Sequence, residues 1–228
     1  MEDKNKGALE ELLADESIVN ISGHATGACC DGFLHPTHTS SGLFRGWAPR
    51  LYDHYLKNTG MVFANVAGLK RNFGNTAWSS CAFNFGPQTV CKLHQDSKDL
   101  PYGLCSVTAL GNFDYKKGGH LVLPEMKLAL EFPPGSTILI PSGSVAHGNT
   151  TIGPDEERLS ITQYTSGSLF RWVDCGFRTV KEYKAVLKEA SKKDPSLKRK
   201  EKECLQAQML KGPEFFCTLD ELLQGVQV

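Results

Sequence analysis

His94-Gln95-Asp96, read together with His147 and the Arg158-Leu159-Ser160 run, constrains the fold of this chain more than any other stretch. Two imidazoles and one carboxylate can take one face of an octahedral ferrous ion and leave three positions open. His94 and Asp96 are two residues apart, so on an extended strand both side chains point to the same face and can reach one ion. His147 follows Asp96 by 51 residues (147 − 96 = 51) and must come from a different strand. Arg158 lies 11 residues further on (158 − 147 = 11), the distance of a next antiparallel strand deeper in the same barrel. Its planar fork can hold a carboxylate bidentately, as a 2-oxoacid cosubstrate requires. Ser160 faces the same way and adds a hydroxyl. A lone His-x-Asp arises readily by chance in a chain with 7 histidines; the combination carries the signal.

The setting of these residues is a series of short strands. Gly118-Gly119-His120 reads as a tight turn entering a strand, Pro133-Pro134-Gly135 as a turn, and Ser136 to Pro141 as a short buried strand. Strands are expected near 79–85, 88–95, 103–111, 119–123, 126–132, 136–140, 144–148 and 157–165. Eight short strands with Gly/Pro turns predict an α+β protein built on a double-stranded β-helix, a jelly-roll in which two sheets enclose a funnel. Helices are expected over 7–20, from Pro49 to Lys57 (stopping near Gly60), over Val180–Ala190, from Pro195 to Leu210, and after Asp220 with Leu219, Leu222 and Leu223. Met61 to Val66 reads as a strand. The N- and C-terminal helices would pack outside one sheet.

At 228 residues the chain fits a single domain, with 1–76 as N-terminal helices and loops, 77–179 as the β core and 180–228 as a helical extension. A hydrophobic content of 40% indicates a folded core, and no run of 18 apolar residues offers a membrane span. The charged N-terminus lacks a secretory signal, so synthesis is expected to end in the cytosol or nucleus. The 8 cysteines at irregular spacing fit reduced thiols, which suits a site that keeps iron ferrous. His24, Cys29, Cys30, His35 and His38 invite a zinc reading, but adjacent cysteines do not match paired-ligand spacing, and a polar loop over 21–45 is the simpler account. Lys plus Arg equal Asp plus Glu at 25 each, so any attraction to phosphates must come from local patches. Two are candidates: the glycine-bounded loop with Lys70 and Arg71, and a C-terminal helical face with Lys192, Lys193, Lys198, Arg199 and Lys200. For both, a solvated surface is the competing account.

The runs Phe83-Asn84-Phe85-Gly86, His94 to Asp99, Gly118-Gly119-His120-Leu121 and Phe170 to Phe177 carry a resemblance. From about Ala77 to Thr179 the chain resembles the Fe(II)/2-oxoglutarate dioxygenases, and within them is similar to the TET/JBP group of nucleic-acid-modifying enzymes, especially its fungal branch. The resemblance implies Fe(II) held by His94, Asp96 and His147, 2-oxoglutarate held by Arg158 and Ser160, and O2 as oxidant. It places the distal histidine at His147 rather than at His120, the rival. It implies methylated DNA as partner, with the target base flipped out, and a nuclear location; a monomer is expected.

Substrate choice is less determined. Asp99 is placed by the resemblance to accept from an exocyclic amino group, which cytosine and adenine both offer, so 5-methylcytosine and N6-methyladenine both stay open. Asn84 is expected to face the funnel and contact base or cosubstrate. Phe73, Trp78 and Tyr164 are stacking candidates, with burial in the core as the alternative. A protein or small-molecule hydroxylase on the same fold, or a binding module without turnover, are the other functions the sequence allows.

Overall fold

The computed structural model describes residues 40–74, 76–210, 212–218 and 220–221. The expected 7–20 helix, the stretch bearing His24, Cys29, Cys30, His35 and His38, and the leucines Leu219, Leu222 and Leu223 lie outside the described residues. Residues 40–47, expected at the end of a loop, are helical.

Helix α1 (Pro49–Asn65) has proline at its start, where the missing N–H costs nothing. It buries Leu51, Tyr55, Asn58, Thr59 and Val62, one stripe at helical period. The burial pattern runs on past Gly60 to Val62, so the helix does not stop there, and the strand expected over Met61–Val66 is its last turn and a half with Val66 as the cap. A glycine inside a helix costs about 1 kcal/mol, and packing of Thr59 and Val62 on either side outweighs it.

Seven strands are present among the described residues, all paired antiparallel, in two sheets. The larger has the order β1 (Ser80–Asn84), β7 (Glu157–Tyr164), β2 (Cys105–Asn112), β5 (Thr137–Ile140); the smaller has β4 (Leu128–Leu130), β3 (Leu121–Leu123), β6 (Gly148–Asn149). Alternation divides each strand between two environments. On β7, Arg158, Ser160, Thr162 and Tyr164 face a cavity between the sheets, while Ile161 packs outward with Phe73, Cys81 and Phe83. Cys105, Ala109 and Ile140 of the larger sheet meet Leu121 and Leu123 of the smaller one in a shared core. On the outer side, α1 and α2 (Gly167–Asp174) pack through Leu51, Tyr55 and Phe170 against Trp78, with Leu104 and Leu139 at the edge.

The strand expected over 88–95 is absent as a ladder. Gln88 makes an isolated parallel bridge to Arg158 in the larger sheet, and His94 an isolated antiparallel bridge to His147 beside the smaller one. The segment crosses from one sheet to the other and cannot propagate in either. Between the bridges the side chain of Asn149 stands in for a ladder. The Cys91 N–H donates to its Oδ1 at 2.8 Å, its Nδ2 donates to the Thr89 carbonyl at 3.2 Å, and its own N–H donates to the Cys91 carbonyl at 3.0 Å. Gly148 permits the close approach, since a Cβ there would lie 2.9 Å from the Cys91 carbonyl oxygen.

Other boundaries shift for local reasons. The strand expected over 144–148 shortens to Gly148–Asn149 because Ser144 and Val145 both donate to the Pro141 carbonyl in a turn. The one expected over 126–132 begins only after a 3-10 turn (Pro124–Met126) and a left-handed Lys127. Helix α2, where part of the Phe170-to-Phe177 run sits, is capped by Ser166. Helix α3 (Val180–Lys193) opens with a capping box between Thr179 and Glu182, and α4 (Ser196–Leu210) follows. Among the described residues no helix is long and apolar enough to cross a membrane.

Candidate metal centre and anion pocket

His94, Asp96 and His147 come together, with one donor atom from each lying within 4.8 Å of the others. His94 Nε2 is 3.6 Å from Asp96 Oδ1 and His147 Nε2 is 3.8 Å from Asp96 Oδ2. The backbone explains the convergence. The crossing segment delivers His94 opposite His147 through mutual N–H···O=C bonds of 3.0 and 2.8 Å, and the Asp96 N–H donates to the Ser142 carbonyl.

The outer nitrogens decide what the trio can hold. His94 Nδ1 is 2.7 Å from the Lys92 carbonyl and His147 Nδ1 is 3.0 Å from the Val145 carbonyl. A carbonyl only accepts, so in the neutral ring Nδ1 carries the hydrogen and Nε2 presents its lone pair. Two lone pairs and a carboxylate then face one another with no hydrogen among them. Such a set suits a divalent cation, and the Nδ1 bonds are the outer contacts that orient metal-bound imidazoles. His120, the rival ligand, instead lies beside Thr150, with its Nδ1 3.4 Å from Oγ1.

The trio lines a cavity of about 500 Å³ between the sheets, together with Arg158, Ser160, Asn84, Asp99 and Tyr164. Arg158 is 2% exposed, and burial lowers its pKa. Its Nη1 donates to the Thr89 carbonyl at 3.3 Å, and its guanidinium carbon sits 6.0 Å from the Phe113 ring centre. Nε is buried without a partner, so the pocket holds a cation whose hydrogen-bonding capacity is unfilled. The Gly118-Gly119 turn makes room for this arrangement. Gly119 has φ +71, and a Cβ there would lie 2.6 Å from the Phe113 ring and 3.4 Å from Arg158 Cδ. Asn84 Nδ2 donates to Ser160 Oγ at 2.9 Å, which leaves the Ser160 hydroxyl hydrogen free to donate elsewhere.

Asp99 accepts from the Ser142 hydroxyl at 3.2 Å. Burial, then the charge of Asp96, pushes its pKa up to about 6 against the opposing effect of the Ser142 bond. Tyr164 is half-buried on the same wall, its phenol raised first by burial and then by Asp99. The other aromatic candidates are not at the site. Phe73 is 3% exposed and Trp78 2%, both in core clusters, and the Trp78 indole donates to the Leu104 carbonyl. Lys70 is exposed, whereas the Arg71 guanidinium donates to the Thr76 carbonyl at 3.0 Å and lies over the Phe63 ring at 4.8 Å. Neither lines the cavity.

Sequence reasoning overlooked Asn149 and Phe113. Asn149 was findable, because it is two residues beyond His147 and therefore on the same face of an extended segment.

The fold and site together define an antiparallel two-sheet protein with a candidate cation site beside a buried, unfilled guanidinium. No family model matches the chain. No curated protein matches it. Among solved structures it is similar to NgTET1 in complex with 5mC DNA, with 16% identity over 73% of this chain and 67% of that one, at a TM-score of 0.49. It is also similar to a viral collagen prolyl hydroxylase from Paramecium bursaria Chlorella virus-1 in complex with 2OG, with 14% identity over 38% of this chain and 60% of that one, at a TM-score of 0.27. At these values neither likeness bears on what this chain acts on.

Proposed function

We propose that this chain is an Fe(II)- and 2-oxoglutarate-dependent dioxygenase of the double-stranded β-helix type that oxidises the methyl group of a modified base in DNA. The observation that carries the proposal is the pairing, in one cavity, of three inward-facing acceptors with a buried guanidinium whose Nε lacks a partner. A cation fits the first and a carboxylate the second, and a 2-oxo diacid is a molecule that can touch both.

When bound, the ferrous ion supplies the oxidising chemistry that couples decarboxylation of 2-oxoglutarate to oxygen insertion into a C–H bond; methyl base, 2-oxoglutarate and O2 give hydroxymethyl base, succinate and carbon dioxide. The chain's own residues bind and orient. His94, Asp96 and His147 hold the ion. Arg158 pairs with the distal carboxylate of 2-oxoglutarate, and Ser160, fixed by Asn84, donates its hydroxyl to the same group. The cavity volume falls in the range of small-molecule sites, about 300–1,000 Å³. Asp99 accepts from the exocyclic amino group of a flipped base, and Tyr164 offers it a face. Either 5-methylcytosine or N6-methyladenine meets this requirement. The sequence resemblance to TET/JBP enzymes supports a nuclear location, and the proposed enzyme acts as a monomer.

The test is nucleoside mass spectrometry after incubating the protein with ferrous iron, 2-oxoglutarate and DNA carrying each methylated base. Oxidised nucleosides that vanish without 2-oxoglutarate are expected from one or both bases. Succinate release stimulated by a peptide and not by methylated DNA would replace the DNA proposal with a protein hydroxylase.

A further inference from the structure

The span 178–211 carries 11 basic and 5 acidic residues, net +6, in a chain whose total is zero. The structure shows how this charge is arranged. At 100° per residue, Lys181, Lys184, Lys188 and Lys192 of α3 fall within an arc of about 80°, a single stripe about 16 Å long. All four are exposed, while Tyr183, Leu187 and Ser191 on the arc that flanks Lys184 are less exposed. Lys192 pairs with Glu189 at 2.8 Å, and the other three make no ion pair among the described residues.

Apart from Glu189 on Lys192, nearby carboxylates are engaged elsewhere. Glu182 is engaged in the Thr179 capping box, Asp194 accepts from the Ser196 N–H, and Glu203 lies 3.5 Å from Arg199. Like charges at three- and four-residue spacing destabilise a helix, so Lys181, Lys184 and Lys188 carry a local cost that the Lys192–Glu189 pair does not relieve. An external polyanion would offset it. The adjacent α4 adds Lys198, Lys200 and Lys202, all exposed and also without an ion pair among the described residues.

We infer that α3 is a backbone-contacting arm that lays its lysine stripe along the phosphates of duplex DNA. Neighbouring stripe lysines are about 5–6 Å apart at Cβ, a spacing on the scale of successive phosphates at about 3.4 Å rise per strand. Lysine ammoniums act there as point charges that position the duplex without reading its sequence. Helix α2, which precedes α3 in the chain, is tied to the cavity wall. Asp99 bridges Ser166, the cap of α2, and the Gly167 N–H donates to the Lys98 carbonyl at 2.9 Å. This inference rests on the DNA proposal for its biological meaning, and the stripe shares Lys192 with the face expected around Lys192, Lys193 and Lys198–Lys200.

The experiment is fluorescence anisotropy of the full-length, metal-free protein with an unmethylated duplex, across 50–200 mM salt. Lys181→Gln, Lys184→Gln, Lys188→Gln and Lys192→Gln together should lower the slope of log K against log salt by about 3–4, at about 0.9 for each phosphate no longer neutralised. Affinity should fall at least tenfold at the low-salt end. Circular dichroism checks that both variants are folded, and Lys57→Gln, Lys116→Gln, Lys117→Gln and Lys127→Gln together remove the same charge elsewhere. An unchanged slope in the stripe variant, or an equal loss in the control variant, overturns the inference. So does stripe-dependent binding to phosphatidylserine vesicles with no binding to the duplex. A stripe-dependent slope in a protein that oxidises no methylated base keeps the arm and sinks the catalytic proposal; oxidation with an unchanged slope does the reverse.

Discussion

Replacing Arg158 by methionine should make the free protein more stable while abolishing its response to a dicarboxylate. Arg158 is 2% exposed, and its guanidinium has one 3.3 Å bond to the Thr89 carbonyl and leaves Nε without a partner. A buried polar group without a partner costs about 1–3 kcal/mol, more when charged. The cavity opens to solvent, so we take about 2 kcal/mol. For a chain of this size each kcal/mol moves Tm by about 2–4 °C, giving a rise of about 4–8 °C for Arg158→Met. Methionine keeps an unbranched, adaptable stem in the space over Phe113. In the wild type, 2-oxoglutarate at a hundred times its Kd adds about 2.7 kcal/mol, a shift of about 5–11 °C on the same scale. Calorimetry of iron-loaded protein under argon, with and without 2-oxoglutarate, reads both quantities. A lower Tm in the variant, or the same 2-oxoglutarate shift in both proteins, would show that Arg158 is a structural cation.

Three further outcomes are expected. Asp96→Ala or His147→Ala should leave the protein folded and remove its stabilisation by ferrous ion; calorimetric metal shifts equal to wild type would take that residue out of the cation site. Asn149→Ala frees the segment that carries His94 and should weaken metal binding about 10–100-fold, measured by competition titration with a chelator. A variant that loses stability yet binds metal as tightly as wild type would make Asn149 a structural residue alone. Asp99, with a carboxyl pushed up to about 6, binds more protons in the folded than in the unfolded state above about pH 4. Its contribution is therefore fully present below the unfolded value and lost as pH rises towards 6. In metal-free protein, urea titrations should show stability falling across that window, and Asp99→Asn should flatten the fall; an identical slope in the variant refutes the assignment.

Much of the site was legible because strand periodicity is local. His94 and Asp96 two apart, and Arg158, Ser160, Thr162 and Tyr164 alternating, declare a shared face without any knowledge of the rest of the chain. What could not be read depends on distant partners. The 88–95 segment has strand composition, but its neighbours change from Arg158 to His147 along its length, and no local pattern announces that change. Helix α1 passes Gly60 because of what Thr59 and Val62 pack against. Phe73 and Trp78 are aromatic near the site in sequence, yet their side chains belong to the outer core. The Gly118-Gly119 pair was visible as a turn, but its purpose, seating Phe113 beneath Arg158, needs the third dimension.

The crossing segment also works as a ruler. At one end the Arg158 N–H is anchored to the Pro87 carbonyl at 2.6 Å, and at the other His94 exchanges main-chain bonds with His147. The gap between the cationic anchor and the imidazoles is thus written in a fixed count of peptide units, which sets the length of acid that can stretch between them. Adding or deleting one residue there would leave each end chemically intact and mis-size the molecule they must grip together.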